Sequence, residues 1–360
     1  MPFSVGVLFW VCLSVNAQDP NFQYRHGDIA ILKPSLDEPT IGKFSKNAAL
    51  DYLDKGAVAW AREQKCVSCH TTGTYMLIRP QLTKKVGQPS QELFEFFKTD
   101  LKRQQATSHQ KLKLAARPQQ VIYLAAGLAH WDAHVSGKLS VATEEALKLM
   151  FDIQLPSGTW GSEDCWPPLE SSPFQAATIA AMAVATAPGW LRSLQSSELR
   201  NKTERLKEYL RSNQEQNDYD RVSLLWAASK IPDLLTKDQR QNLTNMILRL
   251  QRPDGGWSLR SFSLPEKWGS GLRAERLRKE LDFEHPSSDG HMTGLAILVL
   301  REAGLSKNDR RIQRGVEWLR ANQRQSGRWW TKSLNTDNWQ FITYSGTAYP
   351  LLALAFCDAL

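Results

Sequence analysis

Cys66-Val67-Ser68-Cys69-His70 is the stretch of this chain whose residue types and spacing could do chemistry. Two thiols three residues apart, followed at once by an imidazole, form the Cys-x-x-Cys-His pattern of c-type haem attachment. The thiols would add across the two vinyl groups of one porphyrin, and His70 would take one axial position on the iron. A thioredoxin-like redox pair would not need His70, and no βαβ pattern surrounds the motif. Half of a zinc site would want a second Cys/His pair at short range, and none follows. One covalent haem c held by Cys66, Cys69 and His70 is therefore expected. The candidates for the sixth iron position are His109, His130 and His134, with Met76 behind them and His26 able to fold back from the N-terminal region. His130 and His134 are four apart and share a helix face. Without a side chain there, the position would be open to peroxide, oxygen or a substrate.

Covalent haem attachment takes place outside the bacterial cytoplasm, so export is expected. Val5 to Val15 is apolar and Val15-Asn16-Ala17 resembles a cleavage site, although no Lys or Arg precedes the run. Residues 1–17 are read as a signal peptide carrying Cys12 away, and residues 18–360 as one exported, periplasmic domain. No second apolar run is long enough to span a bilayer. The formal charge is +8, carried in mixed stretches such as Arg273-Ala274-Glu275-Arg276-Leu277-Arg278-Lys279-Glu280. The plain reading is a solvated helix face with i,i+4 pairs, and the sharper one a dock for an acidic redox partner or an anionic membrane surface. No motif for nucleic acid accompanies the charge. Cys165 and Cys357 fit either a disulfide or two small buried residues.

The elements that must position the motif announce themselves by a repeat, Gln-x-x-x-Gly-x-Trp. It occurs at Gln154 to Trp160, Gln251 to Trp257 and Gln323 to Trp329. Each copy follows a helical pattern (Glu145 to Asp152, Gln241 to Leu250, Ile312 to Ala321). Each precedes a more apolar one (Ala176 to Ala187, Met292 to Ala303, Ala348 to Ala359). Gly permits a sharp turn past a helix end, Trp supplies a flat apolar surface with one N–H, and the Gln amide can satisfy carbonyls left open at the terminus. The first helix of each pair, charged on one face, should lie outside, and the second, apolar nearly all round, should be buried. Leu206 to Gln214 with Val222 to Lys230, and Ala57 to Gln64 with Trp60, read as degenerate copies. The haem motif then begins where a Gly-x-Trp turn would stand. Leu93 to His134 adds two or three further helices.

The motif resembles the QW repeat of the squalene–hopene cyclase and protein prenyltransferase superfamily, and the resemblance covers most of the chain after residue 17. It implies an all-α fold, an α/α toroid with inner helices ringed by outer ones and a cavity at one end for isoprenoid chemistry. The family's acid machinery is incomplete here. The Asp-x-Asp-Asp motif is approached only by Asp218-Tyr219-Asp220-Arg221, where Arg221 is expected to hold Asp220 ionised, and a helix-capping role is expected for Asp218 or Asp220. Asp164-Cys165-Trp166 shares two letters with the oxidosqualene cyclase motif. Asp289, His291 and Cys357 echo a prenyltransferase zinc set without reproducing it. Asp289 is read as an N-cap and His291 as a polar group lining the cavity. Asp220, Asp289 and His291 are thus the candidate catalytic residues. The leading expectation is an exported mono-haem protein on a cyclase-like scaffold, exchanging electrons with an isoprenoid or other hydrophobic compound or with a redox partner protein. The alternatives are an isoprenoid cyclase or prenyltransferase-like enzyme with a non-standard acid, and a non-catalytic lipid- or peptide-binding module.

Overall fold

The computed structural model of the chain describes residues 21–212 and 215–360. The expected signal peptide, residues 1–17, lies outside the described residues. A short antiparallel hairpin, β1 (Phe22–His26) and β2 (Ile29–Leu32), opens the described chain. Then come α1 (Lys46–Gln64), α2 (Thr74–Ile78, entered through a π-helical turn at Cys69–Gly73), α3 (Gln91–Gln105) and α4 (Arg117–Trp131). They are followed by α5 (Val141–Asp152), α6 (Pro173–Thr186), α7 (Ser197–Arg211), α8 (Asp218–Lys230), α9 (Lys237–Arg249), α10 (Gly290–Glu302), α11 (Arg310–Ala321) and α12 (Ile342–Phe356).

Even-numbered helices pack in succession, α2 on α4, α4 on α6, α6 on α8, α8 on α10 and α10 on α12, and α12 returns to α2. That is a closed inner ring. Odd-numbered helices lie outside it: α1 against α2 and α12, α5 against α4 and α6, α9 against α8 and α10, α11 against α10 and α12. The expected α/α toroid is therefore present, with outer and inner helices alternating along the chain. Composition explains the layers. In α6 every residue from Phe174 to Val184 is buried, whereas α7 buries only Thr203, Leu206 and Leu210. The tightest inner contact, α10 on α12, needs Gly294, because a Cβ there would collide with Pro350.

The three repeat turns share one geometry. Trp160, Trp257 and Trp329 donate their indole N–H to the carbonyls of Met150, Ile247 and Leu319, at 2.8, 2.8 and 2.7 Å. Those carbonyls lie in the last turns of α5, α9 and α11, where helical donors run out; the Ile247 carbonyl also accepts from the Leu250 N–H at 3.2 Å. The glutamines do something else. Gln154 Nε2 bridges the carbonyls of Gly158 and Lys202, Gln251 Nε2 those of Gly255 and Arg311, and Gln323 Nε2 those of Gly327 and Ser45. Each Gln ties its own turn to the next outer helix, so the expectation that Gln serves the preceding helix end is corrected: the indole does that. Gly158, Gly255 and Gly327 sit at φ +95, +96 and +86°, and a Cβ on any of them would strike the backbone of the next outer helix, at Arg205, Arg314 and Ala48. The third joint closes the ring, since Ser45 caps α1 and its N–H donates to Gln323 Oε1 at 2.7 Å.

The basic run at 273–280 is helical over Ala274–Arg278; it keeps a solvated face with the i,i+4 pairs Glu275–Lys279 and Arg276–Glu280, while Arg273 and Arg276 also reach neighbouring loops. Of the two readings open for Cys165 and Cys357, the structure shows two buried thiols and no disulfide; Cys66 and Cys69 are thiols as well. No helix of the described residues is long and apolar enough to cross a membrane.

Candidate functional site

Each inner helix, or the turn that enters it, brings a polar or titratable side chain inward toward its N-terminal end. Cys69 comes from the turn entering α2, Tyr123 from α4, Gln175 from α6, Tyr219 from α8, His291 from α10, and Ser345 with Tyr349 from α12. All are buried. They form two linked groups. In the first, the Cys69 thiol donates to Glu170 Oε2 at 3.3 Å, the Glu170 backbone N–H reaches Gln175 Oε1 at 3.4 Å, and Gln175 Nε2 donates to the Tyr123 hydroxyl at 3.0 Å. In the second, Ser345 Oγ donates to the Ile342 carbonyl, which leaves it accepting from His291 Nδ1–H at 2.8 Å. His291 Nε2 then accepts from the Tyr219 hydroxyl at 3.0 Å. Tyr349 packs edge-on to His291 at 5.0 Å. Its hydroxyl makes no hydrogen bond to the described residues.

Glu170 is the residue the sequence reading missed. It is 5% exposed, with φ +58°, a left-handed conformation that costs a non-glycine residue on the order of 1–3 kcal/mol. Burial lifts its carboxyl from 4.5 to about 7, against the lowering effect of the Cys69 hydrogen bond. Burial also drives the Cys69 thiol well above its usual range, with the Glu170 charge acting in the same direction. At neutral pH the pair is therefore a protonated thiol and a carboxyl poised between its two forms. No motif surrounds Glu170. Its burial comes from loops far apart in the sequence, which fold over the N-terminal ends of the inner helices. Arg273 pins them: Nη1 donates to Asp164 Oδ1 at 2.6 Å, Nη2 to the carbonyls of Asp164 and Cys165, and Nε to Asn335 Oδ1.

Among the three candidate catalytic residues, Asp220 departs most from expectation. Arg221 turns away from it to Asp218 at 2.6 Å and to Glu215 at 3.5 Å. Burial outweighs the remaining Arg221 attraction and raises Asp220 from 3.8 to about 6, so Arg221 does not hold it ionised. The cap of α8 is Asn217, not Asp218 or Asp220; Asp220 accepts from Ser172 Oγ and from the Gln216 N–H. Asp289 caps α10, accepting from the N–H groups of Met292 and Leu259, and burial raises it to about 6. His291 is held at both nitrogens, and burial lowers it to about 3. Cys357 follows the C-terminal end of α12, the far end of the ring from Asp289 and His291, so these three do not assemble. No group of three or more His, Cys, Asp or Glu among the described residues is placed to hold a metal ion.

The haem expectation can be tested against the donor set. Cys66 and Cys69 lie in the connection between α1 and α2 and are not bridged. His70 Nδ1 pairs with Thr71 Oγ1 at 2.8 Å, and Thr71 Oγ1 pairs with the Tyr24 hydroxyl at 3.0 Å. Nε2 has no partner among the described residues, and burial keeps the ring neutral with a value of about 3. The Nδ1 is thus anchored, the Nε2 is without a partner among the described residues, and the two thiols beside it are unbridged. Phe341 stacks on the imidazole at 4.8 Å, and Trp60 and Trp166 stand 4.7 and 5.6 Å from it.

Of the five side chains named for the sixth position, four are held elsewhere and one is exposed. His109 is exposed. His130 lies in the last turn of α4, with its Nδ1 on the Ala126 carbonyl, and His134 in the π-helical turn that follows, while His70 stands at the N-terminal ends. Met76 is fully buried and packs on Gly127 of α4. His26 pairs with Glu63 at 3.1 Å.

No family model and no curated protein matches this chain. Among solved structures, the apo form of the type II terpene cyclase MstE from Scytonema aligns with a TM-score of 0.49 and 15% identity, covering 87% of this chain and 98% of that one. A variant of MstE from Scytonema, in complex with geranylgeranyl dihydroxybenzoate, aligns at 0.48 and 14%, covering 87% and 96%.

Proposed function

We propose that the ring interior receives an apolar, isoprenoid-type compound and exchanges a proton with it through Glu170, making the chain an isoprenoid-transforming enzyme with a non-standard acid. The observation that carries this reading is Glu170 itself: buried, held at positive φ, contacting the Cys69 thiol, and raised by burial to about 7. Groups poised near the working pH are the efficient proton donors and acceptors. Tyr219 and Tyr349, each packed edge-on by a tryptophan (Trp268 and Trp226), give the ring an aromatic lining that favours apolar and electron-poor ligands. The electrostatics also narrow the chemistry. Glu170, Asp220 and Asp289 are all raised, so their anions are poorly stabilised. That suits proton exchange with an oxygen of the substrate better than protonation of an alkene. In the donating direction the O–H bond of Glu170 breaks, the proton passes to the substrate oxygen, and the Cys69 S–H supports the carboxylate left behind.

The test is product analysis after incubation with squalene epoxide and geranylgeranyl dihydroxybenzoate, with squalene as the oxygen-free control that should not turn over. Glu170→Gln should lower turnover by roughly 100-fold or more and remove a limb near pH 7 from the rate profile. Unchanged turnover with the limb intact would refute the assignment.

A second reading is favoured by a separate observation, the unpartnered Nε2 of His70 beside two unbridged thiols. In that reading Cys66 and Cys69 hold one haem c through thioethers and His70 ligates its iron; the group would supply one-electron chemistry. The readings compete for one sulfur, because a thioether at Cys69 has no proton to give Glu170. Mass analysis of protein made in a host with c-type maturation separates them. Protein without the mass of a haem and with Cys66 and Cys69 both alkylatable favours the first, and covalent haem the second.

A further inference from the structure

Three buried polar atoms flank Tyr123 with nothing to bond to. Gln119 is wholly buried, and neither its Nε2 nor its Oε1 has a partner; the same is true of Ser68 Oγ. Gln119 precedes Tyr123 by four residues, so both lie on the face of α4 that Tyr123 turns to the ring interior. Ser68 reaches the same place from α2's side. A Cβ on Gly73 would touch both the Ser68 carbonyl and the Tyr123 ring, and Gly73 N–H donates to the Ser68 carbonyl at 2.8 Å. Leaving a buried amide unpaired costs on the order of 1–3 kcal/mol for each group, so an unfilled Gln at this point is a liability to the folded chain alone.

We infer that Gln119 and Ser68 form a head-group subsite beside Glu170 that binds a neutral oxygen function, a hydroxyl or carbonyl, on the isoprenoid compound. This rests on the proposed function and names its substrate class more narrowly. The chemistry of the donors sets the class. A primary amide offers one donor group and one acceptor, and a serine hydroxyl offers both, which matches an alcohol, phenol or carbonyl. Nothing there matches a diphosphate. Glu170 feels burial, Cys69 and Glu163 but no guanidinium or ammonium, and the groups acting most on Tyr123 are likewise uncharged or acidic. A multiply charged head would be buried without a counter-charge, next to a carboxyl. A neutral oxygen held by Gln119 would stand beside the one carboxyl poised to share a proton with it.

The experiment uses the full chain and three probes of one chain length: geranylgeraniol, geranylgeranyl diphosphate and the corresponding oxygen-free hydrocarbon. Binding is followed by tryptophan fluorescence. The alcohol should bind at least roughly tenfold more tightly than either other probe, and Gln119→Leu should erase its advantage over the hydrocarbon while hydrocarbon binding persists. Ser68→Ala should reduce the advantage in the same direction. Thermal unfolding of ligand-free Gln119→Leu controls for folding, and its midpoint should stay level or rise because an unpaired amide has been removed. Equal binding of alcohol and hydrocarbon by the parent chain, tighter binding of the diphosphate, or an undiminished alcohol preference in Gln119→Leu would overturn the subsite and leave the ring's apolar binding intact. No binding of any probe would overturn the subsite together with the proposed function.

Discussion

Burial, not neighbouring charge, sets the chemistry of single residues in this ring. Glu170 is raised from 4.5 to about 7, so the folded chain holds a proton that the unfolded chain releases above pH 4.5. Its contribution to stability is fully present below pH 4.5 and is lost as pH rises to 7, a change on the order of 3 kcal/mol. Asp220 and Asp289, raised to about 6, act in the same sense over a slightly lower window. His70, His130 and His291 act oppositely. Each is lowered from 6.5 to about 3, so the unfolded chain takes up protons that the native chain refuses, and stability falls as pH drops below 6.5. Denaturant titrations across pH 4 to 8 should show Glu170→Gln flattening the loss above pH 4.5, and His130→Asn delaying unfolding on the acid side. Identical pH dependence in parent and variants would contradict these assignments. Asp220 shows why such effects escape a sequence. Adjacency to Arg221 suggested a held anion, but the guanidinium is drawn to Asp218 three residues back, a choice of direction that letters do not record.

At the scale of elements, the repeat was the most legible part of the chain. Its Trp makes one backbone hydrogen bond, its Gln at least two, and its Gly a close backbone approach, so the spacing cannot drift without losing one of them. The prediction belongs to the third copy. Gln323 makes three bonds, two of them to Ser45, where Gln154 makes two with its Nε2. Gln323→Met should lower stability by about 1–3 kcal/mol, more than Gln154→Met, measured by denaturant midpoints. Gly327→Ala should cost more than Gly304→Ala; both have positive φ, but only Gly327 meets the backbone of another helix. The β1–β2 hairpin and the loop carrying Glu170 were not legible. The hairpin is too short to establish an alternating pattern, and the loop at 161–172 is fixed by partners about a hundred residues away.

For the whole molecule, the roof over the inner helix ends decides who reaches the site. Arg273 holds the loop that places Trp166 against His70 and Glu170 against Cys69. Arg273→Ala should speed alkylation of Cys69 by roughly tenfold or more without changing that of Cys357, which lies at the opposite end; Arg273→Lys should fall between. Equal Cys69 rates in parent and Arg273→Ala would mean that the roof does not govern access.

The clasp between Gln323 and Ser45 also imposes an order on synthesis. The partners are separated by 278 positions, so at about 5–20 residues per second the first outer helix waits some 15 to 55 s on the ribosome for the turn that seals it. Until then its flank at Ala48 and Ala49 is bare, and nascent chains of this length are natural clients for a holding chaperone.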